Sequence, residues 1–200
     1  MINQMVEFKS GTRSSSVPGR PPGFMAKIAA SASAADIEAA AAYFSTQRPV
    51  SFIRVVETDT VPRTEVKGWV LAKAKTGGTE PLGNRIVETP DDAERFELRD
   101  GRVTFTAYVP MGSIAMGEGL VKSGAEGGPA CISCHGANLR GVGSIPSLAG
   151  RSPSYIARQL YDFHSGARHG ANAAIMKPVA DRLNDADRIA IAAYLATRTP

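Results

Sequence analysis

Five consecutive residues, Cys131-Ile132-Ser133-Cys134-His135, constrain this chain more than any other part of it. Residues three apart on a helical turn lie on one face, so the two sulfur atoms point to the same side. Two thiols placed in this way can form thioether bonds to both vinyl-derived arms of one porphyrin, and the histidine that follows can bind its iron. This spacing is the attachment signature of a c-type haem. The sequence therefore predicts one covalently attached haem with His135 as an axial ligand.

Other uses of a Cys-x-x-Cys pair fit the sequence less well. The chain has 2 cysteines, whereas an all-thiolate zinc site needs four. A thioredoxin-like redox pair usually follows a strand of a βαβ unit, but the residues before Cys131 are rich in glycine and unlike a strand. A buried structural pair gives no reason for the adjacent histidine. Haem attachment is the interpretation that uses all three side chains.

The second constraint is an internal repeat. Residues 4–13 align with residues 159–168, and residues 25–49 align without a gap with residues 176–200. A match of this length in a fixed register indicates two copies of one unit. Residue 1 aligns with residue 156, so the first copy lacks its own Cys-x-x-Cys-His motif. We therefore expect an amino-terminal truncation, with a first haem motif and a signal peptide lying upstream.

The order of signals divides the chain into three parts. Residues 1–49 are the C-terminal part of a first unit, residues 50–110 a β-containing connector, and residues 111–200 a complete unit. In the connector, alternation of apolar and polar residues indicates a strand at 103–109. Shorter β-like runs lie at 51–56, 66–72 and 85–87. The connector holds no Cys or His, and we expect it to pack against the haem units.

Local signals predict three long helices in the last part of the chain. Ser113 can cap a helix that runs to about Ser123, and Gly117 in its middle indicates a close crossing with another helix. Ser152 caps the next helix, with Pro153 at its first position. The last helix follows Asn184 and has its apolar face at Ile189, Ala192, Ala193 and Ala196.

A six-coordinate haem needs a second axial ligand, and the candidates are Met111, Met116, Met176, His164 and His169. Most methionines simply pack in cores. Met176 differs because it opens the repeated block, is matched by Met25, and is expected in a loop before the last helix. His164 is matched by Lys9 in the first copy. We therefore expect both histidines at the surface, with Met176 as the ligand.

The composition and charge of the chain bear on its cellular compartment and on the kind of partner it can bind. Its net charge of +4 comes from scattered residues, which is too weak for nucleic acid and fits either an acidic protein partner or an ordinary solvated surface. No apolar run reaches the roughly 18 to 20 residues of a membrane span. The first nine residues lack the features of a secretory signal. Haem attachment of this kind nevertheless belongs to an exported compartment, so we expect a periplasmic protein.

With these features in order, the chain resembles a class I cytochrome c. The second copy carries YIARQLYDFHSGAR and MKPVADRLNDADRIAIAAYLA, and the tandem copies are similar more specifically to the dihaem cytochromes of the c-four family. The resemblance covers residues 113–200 fully and residues 1–49 partly, without the connector. It implies a mainly α, cytochrome c fold around a covalent haem, a partial second cytochrome c domain, and a crossing of the first and last helices at Gly117 and Tyr194.

The resemblance also implies roles for single residues. Cys131 and Cys134 carry the thioethers, and His135 and Met176 are the axial ligands. The carbonyl of Pro146 accepts a hydrogen bond from the far nitrogen of His135, which fixes the ring. One haem c is implied for the chain as it stands, and a second only if an upstream motif exists.

The leading hypothesis is an electron carrier or electron-transfer subunit that makes and breaks no substrate bond. Its partners are expected to be redox proteins, either a dehydrogenase or a terminal oxidase or reductase. The alternative is a haem enzyme, a peroxidase or a sulfur-compound oxidase, for which Arg168-His169 is the only distal pair that the sequence offers. A haem-free docking fragment is a third hypothesis.

Overall fold

The structure is a computed structural model of the 200-residue chain and describes residues 1–17, 23–68 and 70–200. The chain divides into two compact units. The first unit contains residues 1–49 and 159–182, and the second contains residues 50–158 and 183–200. The three-part division at residues 49 and 110 stays a prediction.

The described residues are mainly helical, with several short strands. In chain order, the elements are α1 (Ile2–Ser10), α2 (Gly23–Ser31), α3 (Ala34–Ser45), β1 (Ile53–Glu57), β2 (Thr60–Pro62), β3 (Thr64–Lys67), β4 (Val70–Lys73), β5 (Thr79–Pro81), β6 (Val87–Pro90), α4 (Ala93–Glu97), β7 (Phe105–Val109), α5 (Ser113–Ser123), α6 (Cys131–His135), α7 (Pro153–His164), α8 (Ala173–Asp181) and α9 (Asp185–Ala196). Among the described residues, no helix is long and apolar enough to cross a membrane.

The internal repeat is confirmed by the positions of its helices. Both α3 and α9 have 12 residues and occupy aligned positions. Ser33 and Asn184 cap them through the same device, a capping box in which the cap and the third helical residue, Asp36 or Asp187, bond to each other's backbone N–H groups. The same local signal therefore starts the same helix in both copies.

Equivalent residues of the two copies also exchange hydrogen bonds within the first unit. Arg13 Nη2 donates to Gln159 Oε1 at 2.9 Å, and Arg168 Nη2 donates to Gln4 Oε1 at 3.1 Å. The repeat aligns Arg13 with Arg168 and Gln4 with Gln159, so each of these contacts is the counterpart of the other. The backbone behaves in the same way, with Ser14 N–H donating to the Ala167 carbonyl at 2.8 Å and His169 N–H to the Thr12 carbonyl at 2.9 Å. The two copies thus contact each other through an approximately twofold arrangement.

The connector forms β structure in the second unit, as predicted. Strand β7 pairs in parallel with β1 and antiparallel with β6, and β2–β5 and β3–β4 form two further antiparallel pairs. The run predicted at 66–72 is wrong as a single strand, because Gly68 takes a φ of +58° that ends β3. Strands β2 and β5 and helix α4 were not predicted. A small core of Val61, Leu82 and Val87, joined by Leu71 and Tyr108, holds these strands together.

Helices α5 and α9 cross at Gly117, which confirms the predicted close approach. A Cβ at this position would lie 2.0 Å from the Ala190 carbonyl oxygen and 2.9 Å from Cβ of Tyr194. The bounds predicted for α5 are confirmed, but Ser113 is its first residue rather than its cap, which is Gly112. The apolar face predicted for α9 is too narrow, because every residue from Ala190 to Ala196 is buried.

Candidate functional site

The Cys-x-x-Cys-His segment is a helical turn, α6, as the spacing predicts. Gly136 ends it with a φ of +84°, a conformation that favours glycine. Both thiols are free, with Cys134 exposed and Cys131 half-buried. Burial raises the pKa of the Cys131 thiol. The turn therefore presents two thiols and an imidazole within five residues.

His135 is held in one tautomer by the loop that follows. Its side chain is buried, and its Nδ1 lies 2.8 Å from the carbonyl oxygen of Pro146. A carbonyl can only accept, so Nδ1 is the donor, and in the neutral imidazole the lone pair is on Nε2. This is the form of imidazole that binds a metal. The predicted hydrogen bond between His135 and Pro146 is confirmed.

Two residues of the loop position the Pro146 carbonyl, and no pattern in the sequence predicts the role of either. Leu139 is buried, has a φ of +60°, and accepts a hydrogen bond from Leu148 N–H at 2.9 Å. Gly141 lies close to the backbone of residues 145–147 in the same loop. A Cβ there would lie 2.5 Å from the Ile145 carbonyl oxygen and 3.0 Å from the Pro146 carbonyl carbon. Only glycine allows this approach, and the spacing of polar or apolar residues gives no signal of it.

Two carboxylates of the connector bind the amino ends of the helices that precede and follow α6 in the chain. Glu57 Oε1 accepts from Ile114 N–H at 2.8 Å at the start of α5. Glu88 Oε2 accepts from the Ser152 hydroxyl at 2.7 Å and from Ser154 N–H at 3.4 Å at the start of α7. A negative charge is stabilising at a helix amino terminus. The connector therefore contacts α5 and α7 of the predicted complete unit, residues 111–200, as expected. It supplies helix caps that no local sequence pattern reveals.

Met176 lies in a helix, which shows that the expected loop is wrong. It is half-buried in α8, where it packs beside Phe163, Ala173 and Ala180. Pro178 lacks an N–H group and disfavours a helix at this point. The helix forms nevertheless, because Ala173, Met176 and Ala180 share one face that packs against Phe163. Met176 belongs to the first unit and His135 to the second, and ligation by Met176 stays a prediction.

The remaining histidines, His164 and His169, are exposed, as predicted. Arg168 is the neighbour that a haem enzyme would need beside His169. Its side chain is instead held by a hydrogen bond and a cation–π contact. Its guanidinium donates to Gln159 Oε1 at 2.9 Å and lies 4.1 Å from the ring centre of Phe163. This arrangement does not favour the haem-enzyme alternative.

The residues present fit a haem c. Cys131 and Cys134 supply two free sulfurs on one turn, and His135 supplies an oriented Nε2 lone pair. Cys-x-x-Cys-His is the residue set that such a haem requires. When bound, the haem supplies an iron that gains and loses one electron.

Comparisons with known proteins agree with this chemistry. The cytochrome c family model matches residues 117–199. Cytochrome c4 of Azotobacter vinelandii is 33% identical over 140 residues, which are 63% of this chain and 67% of that protein. The thiosulfate dehydrogenase electron acceptor of Thiomonas intermedia is 41% identical over 96 residues, 46% of this chain and 44% of that protein. Of the second relative, the match therefore spans less than half.

A solved structure shows the same fold over nearly the whole chain. Cytochrome c4 of Acidithiobacillus ferrooxidans superposes with a TM-score of 0.61 at 23% identity, covering 98% of this chain and 81% of that one. The chain belongs to the cytochrome c family. Within that family it is homologous to the cytochromes c4, and its cofactor is covalently attached haem c. The predicted fold class, mainly α with a cytochrome c fold, is confirmed.

Proposed function

We propose that the chain transfers electrons in the periplasm through a haem c that is attached at Cys131 and Cys134 and ligated by His135 and Met176. The observation that carries this proposal is the hydrogen bond of 2.8 Å between His135 Nδ1 and the Pro146 carbonyl. It leaves Nε2 as the free ligand and strengthens the imidazole as a donor. Side chains here orient and anchor a redox group, and they have no substrate bond to break.

Met176 is proposed as the second ligand for two reasons. The residue is half-buried, and its repeat partner, Met25, occupies the aligned place in α2. Met111 and Met116 are 60% and 45% exposed, which suits a surface position. A thioether ligand favours the ferrous state and raises the reduction potential.

The proposed partners are redox proteins, with a dehydrogenase as electron donor. Support comes from the Thiomonas relative, whose name describes an electron acceptor of thiosulfate dehydrogenase. A terminal oxidase or reductase is the expected recipient of the electron. The net charge of +4 suits docking to an acidic surface.

A ligand test uses Met176→Leu beside the matched control Met116→Leu. We expect the purified wild-type protein and the control to show the methionine-to-iron band of a ferric cytochrome and a reversible one-electron couple. Met176→Leu should lose the band, lower the reduction potential, and bind cyanide or carbon monoxide rapidly, because it opens a coordination position. An unchanged band in Met176→Leu would rule out this ligand, and rapid cyanide binding by wild type would favour a haem enzyme.

A further inference from the structure

Three side chains form a closed set of contacts that joins helix α8 to the end of helix α7. Lys177 Nζ donates to Asp181 Oδ1 at 2.9 Å and to Asp181 Oδ2 at 3.0 Å. It also donates to the carbonyl oxygen of His164 at 3.0 Å. His164 Nδ1 in turn lies 3.0 Å from Asp181 Oδ1. These contacts, the Lys177 link, lie wholly within the first unit.

The Lys177 ammonium suits its position at the carboxyl end of α7. The last four carbonyl groups of a helix have no partner within it, and the helix dipole favours a cation beside them. His164 is the last residue of α7. The hydrogen bond from Lys177 also holds the pKa of Asp181 below its usual value, so this carboxylate is charged at neutral pH. The link is therefore an ion pair that joins two helices.

Helix α8 has few other contacts that hold it in place. It has 9 residues, and helices shorter than about 12 residues are marginal without tertiary contacts. Asn172 makes no side-chain cap hydrogen bond, and Pro178 removes a backbone donor from the helix interior. The buried residues of α8 are two alanines, Ala173 and Ala180. The Lys177 link therefore adds to a small apolar contact.

The link fixes the part of α8 that carries Met176. Met176 directly precedes Lys177 in the chain, so the two residues share one peptide unit. In the first copy of the repeat, Ala26 and Ala30 align with Lys177 and Asp181. An alanine side chain neither donates nor accepts a hydrogen bond. The link is therefore particular to the copy that also carries the Cys-x-x-Cys-His motif.

We propose that Lys177 is a positioning residue, which ties α8 to α7 and so holds the Met176 sulfur in the place from which it ligates iron. The link stands on the hydrogen bonds to His164 and Asp181, whereas its effect on the iron rests on the proposed function. The side chains of the link are 41% to 48% exposed, and exposed ion pairs contribute modestly. We therefore expect loss of the link to change rates and not to remove the ligand.

The test compares Lys177→Ala with Lys177→Arg in the haem-loaded full chain, because arginine keeps the cation and its donors. Amide exchange of α8 reports on the link whether or not Met176 is a ligand. The rate of cyanide binding to the ferric protein reports on the ligand, since cyanide binds only after the sulfur has left the iron. We expect Lys177→Ala to keep the methionine-to-iron band and to speed both processes by about threefold to tenfold. Lys177→Arg should keep both near the wild-type rates.

The matched control is Lys122→Ala, which also removes one positive charge from an exposed i,i+4 ion pair, but from a pair with Glu118 within α5 alone. We expect wild-type rates of α8 exchange and of cyanide binding. Equal acceleration in Lys122→Ala would show an effect of charge and overturn the positioning role. Unchanged α8 exchange in Lys177→Ala would refute the link and leave the proposed function standing.

The variant Met176→Leu separates the remaining outcomes. If it loses the band, and Lys177→Ala speeds α8 exchange but not cyanide binding, the link holds the helix without positioning the sulfur, and the proposal is overturned. If Met176→Leu keeps the band, the ligand in the proposed function is wrong, and the Lys177 link is a structural contact only.

Discussion

At the scale of single residues, the orientation of His135 depends on backbone geometry in the next loop. The Pro146 carbonyl that holds Nδ1 is itself placed by Gly141, whose missing Cβ allows the loop to close. The histidine could be identified from sequence because its spacing from two cysteines has one main chemical use. Gly141 could not, since its role depends on contacts that exist only after the loop has folded.

This dependence can be tested with Gly141→Ala. A methyl group 2.5 Å from a backbone oxygen should lower the free energy of unfolding by about 2 kcal/mol and displace Pro146. The imidazole then loses basicity, so we expect the reduction potential to rise, as measured by redox titration. The control is Gly143→Ala, which also has positive φ but no atom within 4 Å. It should cost about 1 kcal/mol and leave the potential unchanged. Equal potentials for all three proteins would contradict this account.

At the scale of elements, two helix caps join the connector to the helices that precede and follow the Cys-x-x-Cys-His turn in the chain. Glu57 at the end of β1 binds the start of α5, and Glu88 in β6 binds the start of α7. These pairs are 57 and 64 residues apart in the chain. The helix starts at Ser152 and Asn184 could be predicted from the sequence, because the cap is local. The caps that come from a distant strand could not.

The cap on α7 can be separated into charge and hydrogen bonding. Glu88→Ala removes both and should lower the free energy of unfolding by about 1 kcal/mol, the typical value for a lost helix cap. Glu88→Gln keeps an acceptor for the Ser152 hydroxyl and loses only the interaction with the helix dipole, about 0.5 kcal/mol. Urea unfolding of the haem-loaded protein measures both. Indistinguishable wild-type and Glu88→Ala curves would mean that the contact does not stabilise α7.

The elements also show where pattern reasoning fails. Helices α5 and α9 and the start of α7 were predictable because glycine, proline and cap residues mark their ends. The loop expected at Met176 is a helix, since burial of its apolar face against Phe163 outweighs Pro178. The parallel pairing of β1 with β7 joins residues about fifty positions apart. No local periodicity carries such information.

At the scale of the whole molecule, the two copies of the sequence repeat form equivalent helices that differ in how much of their surface is buried. The aligned helices α3 and α9 start in the same way, but Tyr43 of α3 is exposed whereas its repeat partner Tyr194 in α9 is buried. The pairing of equivalent residues, Arg13 with Gln159 and Arg168 with Gln4, was not foreseen, although the alignment had already identified all four as repeat partners. Alignment shows which residues are equivalent, while contact depends on how the copies fold together.

The central claim, that Cys131, Cys134 and His135 hold one haem c, is tested most directly by the haem content of the intact chain. The protein is produced with c-type haem maturation, extracted with acidified acetone, and measured by pyridine haemochrome and intact mass. We predict one haem per chain that resists extraction and has the haemochrome spectrum of two thioether bonds. An extractable haem, or a chain with no haem and two free thiols, would contradict the account.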